Sequence, residues 1–264
     1  TSIFPEDMLK VAGKIRNFAG FSIDNTVVLG MNYNHQVSSY DISVVKAIAI
    51  YFDLINTIKD KVMEIEKSFE YTTNALARAA EANDDSTGSH IKRVNTFSKM
   101  LAEEMGLDRE FIKTIFNAAQ MHDVGKIYVD KSILTKPGRL TLEEFENMKK
   151  HTLYGELIIG DSENLKMSAE IARCHHEKFD GSGYPDGRRG EDIPLSARIV
   201  ALADVYDALR SKRPYKAGFS HEEAHEIITK GDGRVMPVHF DPLVLEAFKN
   251  IHLRLAEIYN SFWE

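Results

Sequence analysis

Residues able to ligate a metal recur along this 264-residue chain in segments far from one another: His90 in DDSTGSHIKRV, His122-Asp123 in MHDVGKI, His151 in KKHTLYGE, His175-His176 in RCHHEKFDGSGYP and Asp204 in RIVALADVYDAL. Each stands beside an amphipathic helical pattern. A fold that lets them act together must turn several helices inward on one point, as a helical bundle does. The His122-Asp123 pair is the natural centre, because a carboxylate has two oxygens with which to bridge from one ion to a second. Singly, a His or Asp on a helix is ordinarily a surface residue or a satisfied core residue, and only as a set do these imply a metal centre. Five imidazoles and two carboxylates exceed the three or four protein ligands that one catalytic zinc takes, so two or more ions with open positions are expected. Successive helical residues turn by roughly 100°, which predicts that His175 and His176 straddle the cluster rather than chelate one ion.

Helical periodicity covers most of the chain. Thr96 to Met105, Arg109 to Met121, Leu142 to Ile159, Leu165 to His175, Leu195 to Leu209, His221 to Lys230 and Pro242 to Ser261 read as helices divided by polar or Gly/Pro breaks. Asp108 and Thr141 are the expected N-caps. No alternating strand series or internal repeat occurs beyond Ala82, so the expected fold class is mainly α. The first residues differ: TVVLGM at Thr26 to Met31 reads as a strand, and a helix without Pro or Gly begins near Ser39 and runs to about Ala82. Residues 1–38 resemble in part the closing elements of a GAF-type sensory domain and are expected to be a fragment of a longer protein, since Thr1 is not a start Met. Residues 39–82 are expected to be a linker helix, and 83–264 the functional domain. On the linker, Ile58, Val62, Ile65, Phe69, Thr72 and Leu76 alternate at coiled-coil spacing, which predicts a homodimer. An amphipathic helix packed on its own domain is the competing expectation.

Several longer segments follow in order: HDVGKI at 122–127, HHEKFDGSGYPDG at 175–187, IPLSARIVALADVYDAL at 193–209, SKRPYK at 211–216 and HFDP at 239–242. Together they resemble the HD superfamily of metal-dependent phosphohydrolases and, through Gly183-Tyr184-Pro185, its HD-GYP branch, over residues 75 to 264. The resemblance implies an HD-type helical bundle that hydrolyses a cyclic dinucleotide, usually cyclic di-GMP, to pGpG and onward to GMP through a hydroxide held between metals. It carries the family's metal ligands onto His90, His122, Asp123, His151, His175, His176 and Asp204, with Asp123 as the bridge. Two divalent ions are implied, with iron ahead of manganese. Asp123 and Lys126 are the implied catalytic residues. Arg213 and Lys216 are implied to contact substrate phosphates, with Asp180, Gly183, Tyr184 and Pro185 shaping the pocket. Hydrolysis of cyclic GMP-AMP or of pGpG is an alternative within the class. A non-catalytic cyclic dinucleotide sensor or interaction scaffold belongs to another class, and the intact ligand set speaks against it.

Elementary chemistry agrees with this resemblance. A phosphodiester is anionic and resists hydroxide, and a metal pair both acidifies a water and offsets charge on the phosphate oxygens. Lys126 stands one helical turn after His122, on the same expected face, where its ammonium would bind phosphate or protonate a leaving oxygen. The segment from Phe179 to Gly187 has the composition of a structured turn. Three positions depart from the family pattern. Ser86 replaces a Glu found in members with three ions, Arg210 replaces a small Thr and adds a cation near Arg213 and Lys216, and Pro237-Val238 precedes HFDP. Ser86 makes a third ion less expected, although Asp84 and Asp85 stand nearby.

A net charge of −7 and a pI near 5.8 exclude a general nucleic-acid binder, which would carry a basic stripe. The single cysteine, Cys174, speaks against a disulfide framework and is expected to be a buried thiol in a reducing compartment. No apolar run reaches membrane-spanning length. The expected location is cytoplasmic, with no direct membrane insertion.

Overall fold

A computed structural model describes residues 6–81, 89–211 and 218–262. The chain divides into two compact units, Thr1–Phe69 and Glu70–Glu264.

In the first unit a short helix, α1 (Glu6–Ala12), precedes a hairpin of β1 (Phe18–Ile23) and β2 (Thr26–Met31). The strands pair antiparallel, with Ile23 opposite Thr26, around a two-residue turn. Asp24 takes a positive φ of 44° there, a conformation that Asp tolerates better than most residues. The strand expected over Thr26–Met31 is present with those bounds. Its partner, FAGFSI, alternates too weakly to announce itself. Helix α2 (Ser39–Glu81) then crosses from the first unit into the second. Before the boundary, Ile58, Val62 and Ile65 are at least half exposed, which leaves an apolar stripe in solvent.

The described residues of the second unit form helices joined by loops, with no strand among them. The end of α2 packs into it through Ala77, Ala80 and the partly buried Leu76, against Ile91, Met121, Val124 and Ala172. Gln120 fixes this tail by donating to Thr73 Oγ1 at 3.2 Å. Leu76, expected on an intermolecular seam, therefore serves its own domain. Helices α3 (Ser89–Glu104), α4 (Arg109–Ala118), α5 (Lys131–Leu134), α6 (Leu142–Lys149), α7 (His151–Ile159) and α8 (Lys166–Cys174) follow. The chain closes with α9 (Leu195–Arg210), α10 (His221–Lys230) and α11 (Pro242–Ser261). Phe97 and Leu101 of α3, Ile115 of α4, Leu202 and Tyr206 of α9, Ile228 of α10 and Phe248 of α11 form the main core. Asp108 caps α4 by accepting from Glu110 and Phe111, and Thr141 opens α6 in a capping box with Glu144, both as expected. Among the described residues no helix is long and apolar enough to cross a membrane.

Three boundaries depart from the sequence reading, and all three lie at ligand residues. α3 starts at Ser89 and so carries His90 in its first turn. α4 tightens after Ala118 into a 3-10 turn, Ala119–Met121, and a second 3-10 turn, Val124–Tyr128, follows Asp123. The single helix expected over Leu142 to Ile159 divides at Lys150, where the N–H bonds to Asn147 and Met148 carbonyls. No Gly or Pro marks that break.

The turn after Asp123 lies directly on α7. A Cβ built on Gly125 would be 1.8 Å from the His151 carbonyl oxygen and 2.4 Å from the Gly155 nitrogen, so only glycine permits the contact. The opposing Gly155 is close but less tight, with an ideal Cβ 3.0 Å from that of Ala172. Gly125→Ala is therefore expected to push the turn and α7 apart and cost roughly 3 kcal/mol of unfolding free energy, the upper end for overpacking. Urea denaturation checks this, and an unchanged midpoint would show that the two segments separate freely.

Candidate metal centre

Breaks in the helices deliver most of the ligand set to one place. His90 lies in the first turn of α3, His122 ends the turn after α4, His151 opens α7, and His175 follows the last residue of α8. Asp204 alone projects from mid-helix, on α9. Asp123 takes φ −104° and ψ 8°, the bridge conformation that interrupts helical geometry and turns its carboxylate inward.

The seven residues form two groups, in each of which one donor atom per residue lies within 4.8 Å of the others: Asp123, His151, His175 and His176, and His90, His122 and Asp204. His175 and His176 thus fall in one group, with ring centroids 4.0 Å apart, rather than straddling the two. His175 still holds right-handed helical φ and ψ (−66° and −14°), and the roughly 100° turn between the two residues leaves both rings within reach of Asp123. Asp123 faces both groups. Its Oδ1 is 3.4 Å from His151 Nε2, and its Oδ2 is 3.2 Å from His122 Nε2. Asp204 Oδ1 is 3.6 Å from His90 Nε2 and 4.0 Å from His122 Nε2.

Hydrogen bonds on the far side of the rings fix what these nitrogens present. His122 Nδ1 lies 2.8 Å from the Ala119 carbonyl, His151 Nδ1 2.7 Å from that of Met148, and His175 Nδ1 3.0 Å from that of Ile171. A carbonyl only accepts, so each Nδ1 carries a proton, and each ring in its neutral form offers an Nε2 lone pair to the interior. Those lone pairs face one another: His90 and His122 Nε2 are 3.4 Å apart, as are His151 and His175 Nε2. Asp123 Oδ1 is buried with no hydrogen-bond partner. Converging lone pairs and an unsatisfied buried carboxylate oxygen repel one another unless a cation sits among them, so the residues fit a metal.

Charge follows the same pattern. Burial, reinforced by neighbouring imidazoles, holds His175 and His176 well below the usual histidine range, and burial also lowers His151. Burial opposes charge on His122 as well, but Asp123 and Asp204 outweigh it and lift the group to about 9. The carboxylates that favour a proton there favour a metal cation equally. Asp123 is held well below the usual carboxylate range, because Lys126 and His122 outweigh its burial.

The remaining expected residues divide. Lys126 Nζ is 2.7 Å from Asp123 Oδ2. It reaches Asp123 rather than sharing a face with His122, because a 3-10 turn eclipses residues three apart. Tyr184 lies beside the ligands, its ring centroid 4.8 Å from that of His176, and the Tyr184-Pro185 peptide is cis. Gly183 is close-packed, with an ideal Cβ 2.3 Å from the Lys178 nitrogen. Asp180 closes a local turn onto Ser182 and lines a cavity of about 480 Å³ with Phe179, Arg189 and Phe240, which no ligand residue lines. Arg210 stacks on Tyr259, 4.4 Å from the ring centroid, and donates to Asn260, joining α9 to α11. Cys174 is buried, and burial pushes its thiol up to about 11. Arg213, Lys216, Ser86, Asp84 and Asp85 lie outside the described residues.

Three further residues support the site. Asp207 accepts from His90 Nδ1 at 2.7 Å and from Arg93, and all but His90 of this trio is fully buried. Glu177, also buried, accepts from the backbone N–H groups of Asp186, Gly187 and Arg188 and so closes the glycine-rich loop. Spacing held a signal for the first pair: Arg93 follows His90, and Asp207 follows Asp204, by three residues, on the same helical face. Nothing comparable marks Glu177.

The chain is similar to several known proteins. The HD domain family model matches residues 71–244. A probable cyclic di-GMP phosphodiesterase of Vibrio cholerae is 44% identical over 215 residues, which is 75% of this chain and 48% of that protein. A 3'3'-cGAMP-specific phosphodiesterase of the same organism is 39% identical over 225 residues, 83% of this chain and 42% of that protein. The chain thus spans about half the length of these relatives or less. Among solved structures, Bd1817, an HDG"Y"P protein from Bdellovibrio bacteriovorus, shares the fold with a TM-score of 0.50 at 20% identity, over 74% of this chain and 64% of that one. The chain belongs to the HD domain family, in its HD-GYP branch.

Proposed function

We propose that this protein is a metal-dependent phosphodiesterase that opens a cyclic dinucleotide, cyclic di-GMP first, to pGpG and onward to GMP. The observation that carries the reading is the convergence of Nε2 lone pairs on Asp123 and Asp204, with Asp123 facing both groups. The name of the 44% identical relative supports the substrate.

His90, His122 and Asp204 would hold one divalent ion, and His151, His175 and His176 a second, with Asp123 reaching both. Iron suits this mixed imidazole and carboxylate set, and manganese is the alternative. When bound, the ions supply the Lewis acidity that makes water nucleophilic near neutral pH and offsets charge on the phosphate oxygens. Lys126, held at Asp123, binds a phosphate oxygen or gives a proton to the departing ribose oxygen. Tyr184 closes the wall beside His176. Arg213 and Lys216 contribute phosphate contacts, for which a guanidinium fork and a compact ammonium are suited.

Hydrolysis of cyclic GMP-AMP is the second reading, favoured by the 39% identical relative named for it. Parallel kcat/KM measurements on the two cyclic dinucleotides separate them. For the N-terminal part we assign residues 1–38 to a sensory fragment and residues 39–82 to a linker through which two copies associate. The half-exposed Ile58, Val62 and Ile65 support that association.

Protein purified anaerobically is expected to carry two equivalents of metal by elemental analysis and to release pGpG from cyclic di-GMP. A His122→Ala, Asp123→Ala double change should abolish both, with an activity loss beyond the roughly 10- to 100-fold typical of removing a residue behind a ligand. Retention of metal and hydrolysis by that variant would overturn the assignment. Lys126→Ala is expected to lower kcat by roughly 10²- to 10⁴-fold, the range for a lost general acid, while metal content stays the same. Light scattering should give a mass near twice the 29.9 kDa of one chain. Ile58→Asp with Ile65→Asp should halve that mass, and a monomeric parent protein would refute the dimer.

A further inference from the structure

His90 is held differently from the other imidazoles. His122, His151 and His175 give their Nδ1 protons to backbone carbonyls, which cannot ionise. His90 Nδ1 instead lies 2.7 Å from Asp207 Oδ2. Behind it, Arg93 bonds both oxygens of Asp207, through Nε to Oδ1 at 2.5 Å and through Nη2 to Oδ2 at 3.0 Å. Ser211 Oγ donates to Oδ2 at 3.2 Å and accepts from Arg93 Nη2 at 3.1 Å. Asp207 is 0% and Arg93 2% exposed, so solvent screens this assembly little.

The consequence is asymmetric. Arg93 compensates the Asp207 carboxylate, which keeps it charged and fixed. A charged carboxylate accepts from His90 Nδ1–H, selects that tautomer and makes the opposite nitrogen a stronger donor. Asp204 and Asp207 stand three apart on α9, one facing the ligand group and the other behind His90. In the other group, His151 and His175 are supported instead by carbonyls of α6 and α8.

We propose that Asp207 is a positioning residue that makes the two metal positions unequal: it secures the ion held by His90, His122 and Asp204, and leaves the ion at His151, His175 and His176 independent of it. The proposal rests on the two-ion reading above. A role only as the counterion of Arg93 would instead lower stability and leave both ions held alike.

Manganese retention separates these roles. Wild-type protein and Asp207→Asn are loaded with Mn2+, dialysed, and compared by elemental analysis, electron paramagnetic resonance and thermal melting. Wild type is expected to hold two equivalents with a spin-coupled signal. Asp207→Asn should keep one equivalent, give the six-line signal of an isolated Mn2+, and bind the lost ion roughly 10- to 100-fold more weakly. Asp207→Glu, which retains a charge for Arg93 but displaces its oxygens from His90, is measured alongside in case the amide does not fold. It too must weaken one ion and spare the other. Two ions retained alike in a folded variant, or both lost together, would overturn the proposal. Fewer than two in wild type would instead overturn the two-ion reading on which it rests.

Discussion

The hydrogen bonds from the far nitrogens of His90, His122, His151 and His175 govern this domain. His122, His151 and His175 each bond to a carbonyl three or four residues earlier in the chain, and at Ala119 and Ile171 that oxygen also accepts a backbone N–H, so the imidazole takes its second lone pair. That one contact sets the tautomer and aims Nε2 inward. His90 sits at the start of a helix, and a carboxylate from α9 takes the carbonyl's place.

Close backbone packing supplies the second requirement. Gly125 lets the turn after Asp123 lie on α7, which brings Asp123 within reach of His151. Gly183 lets the loop after His176 fold back on residues 177 and 178, where Glu177 gathers three backbone N–H groups. Tyr184 is thereby held against His176. A fold in which helix ends carry the chemistry needs contacts of this kind, because a helix terminus has fewer internal bonds to hold it rigid than a helix middle.

The sequence was most legible where residue type alone carries the chemistry. His90, His122, Asp123, His151, His175, His176 and Asp204 stand out because few side chains ligate a metal, and all seven gather in two groups that Asp123 faces. Their division into groups was not legible. Helical geometry predicted that His175 and His176 straddle the cluster, but a turn of roughly 100° still leaves both within reach of Asp123. Lys126 likewise reaches Asp123 through a 3-10 turn that no Gly or Pro pattern distinguishes from a helix. Arg210, read as a third cation near Arg213 and Lys216, stacks on Tyr259 because the flat aromatic face lies within its reach on α11.

Composition and periodicity specified a mainly helical chain and the identity of its chemically able side chains, since both follow from local properties of each residue. Folding in three dimensions settled where the helices stop, which nitrogen each histidine turns inward, and which buried partners stand behind the ligands. Those outcomes depend on contacts between segments far apart in sequence. Asp207 and His90 are 117 residues apart, and the 2.7 Å bond between them exists only once α3 and α9 have packed.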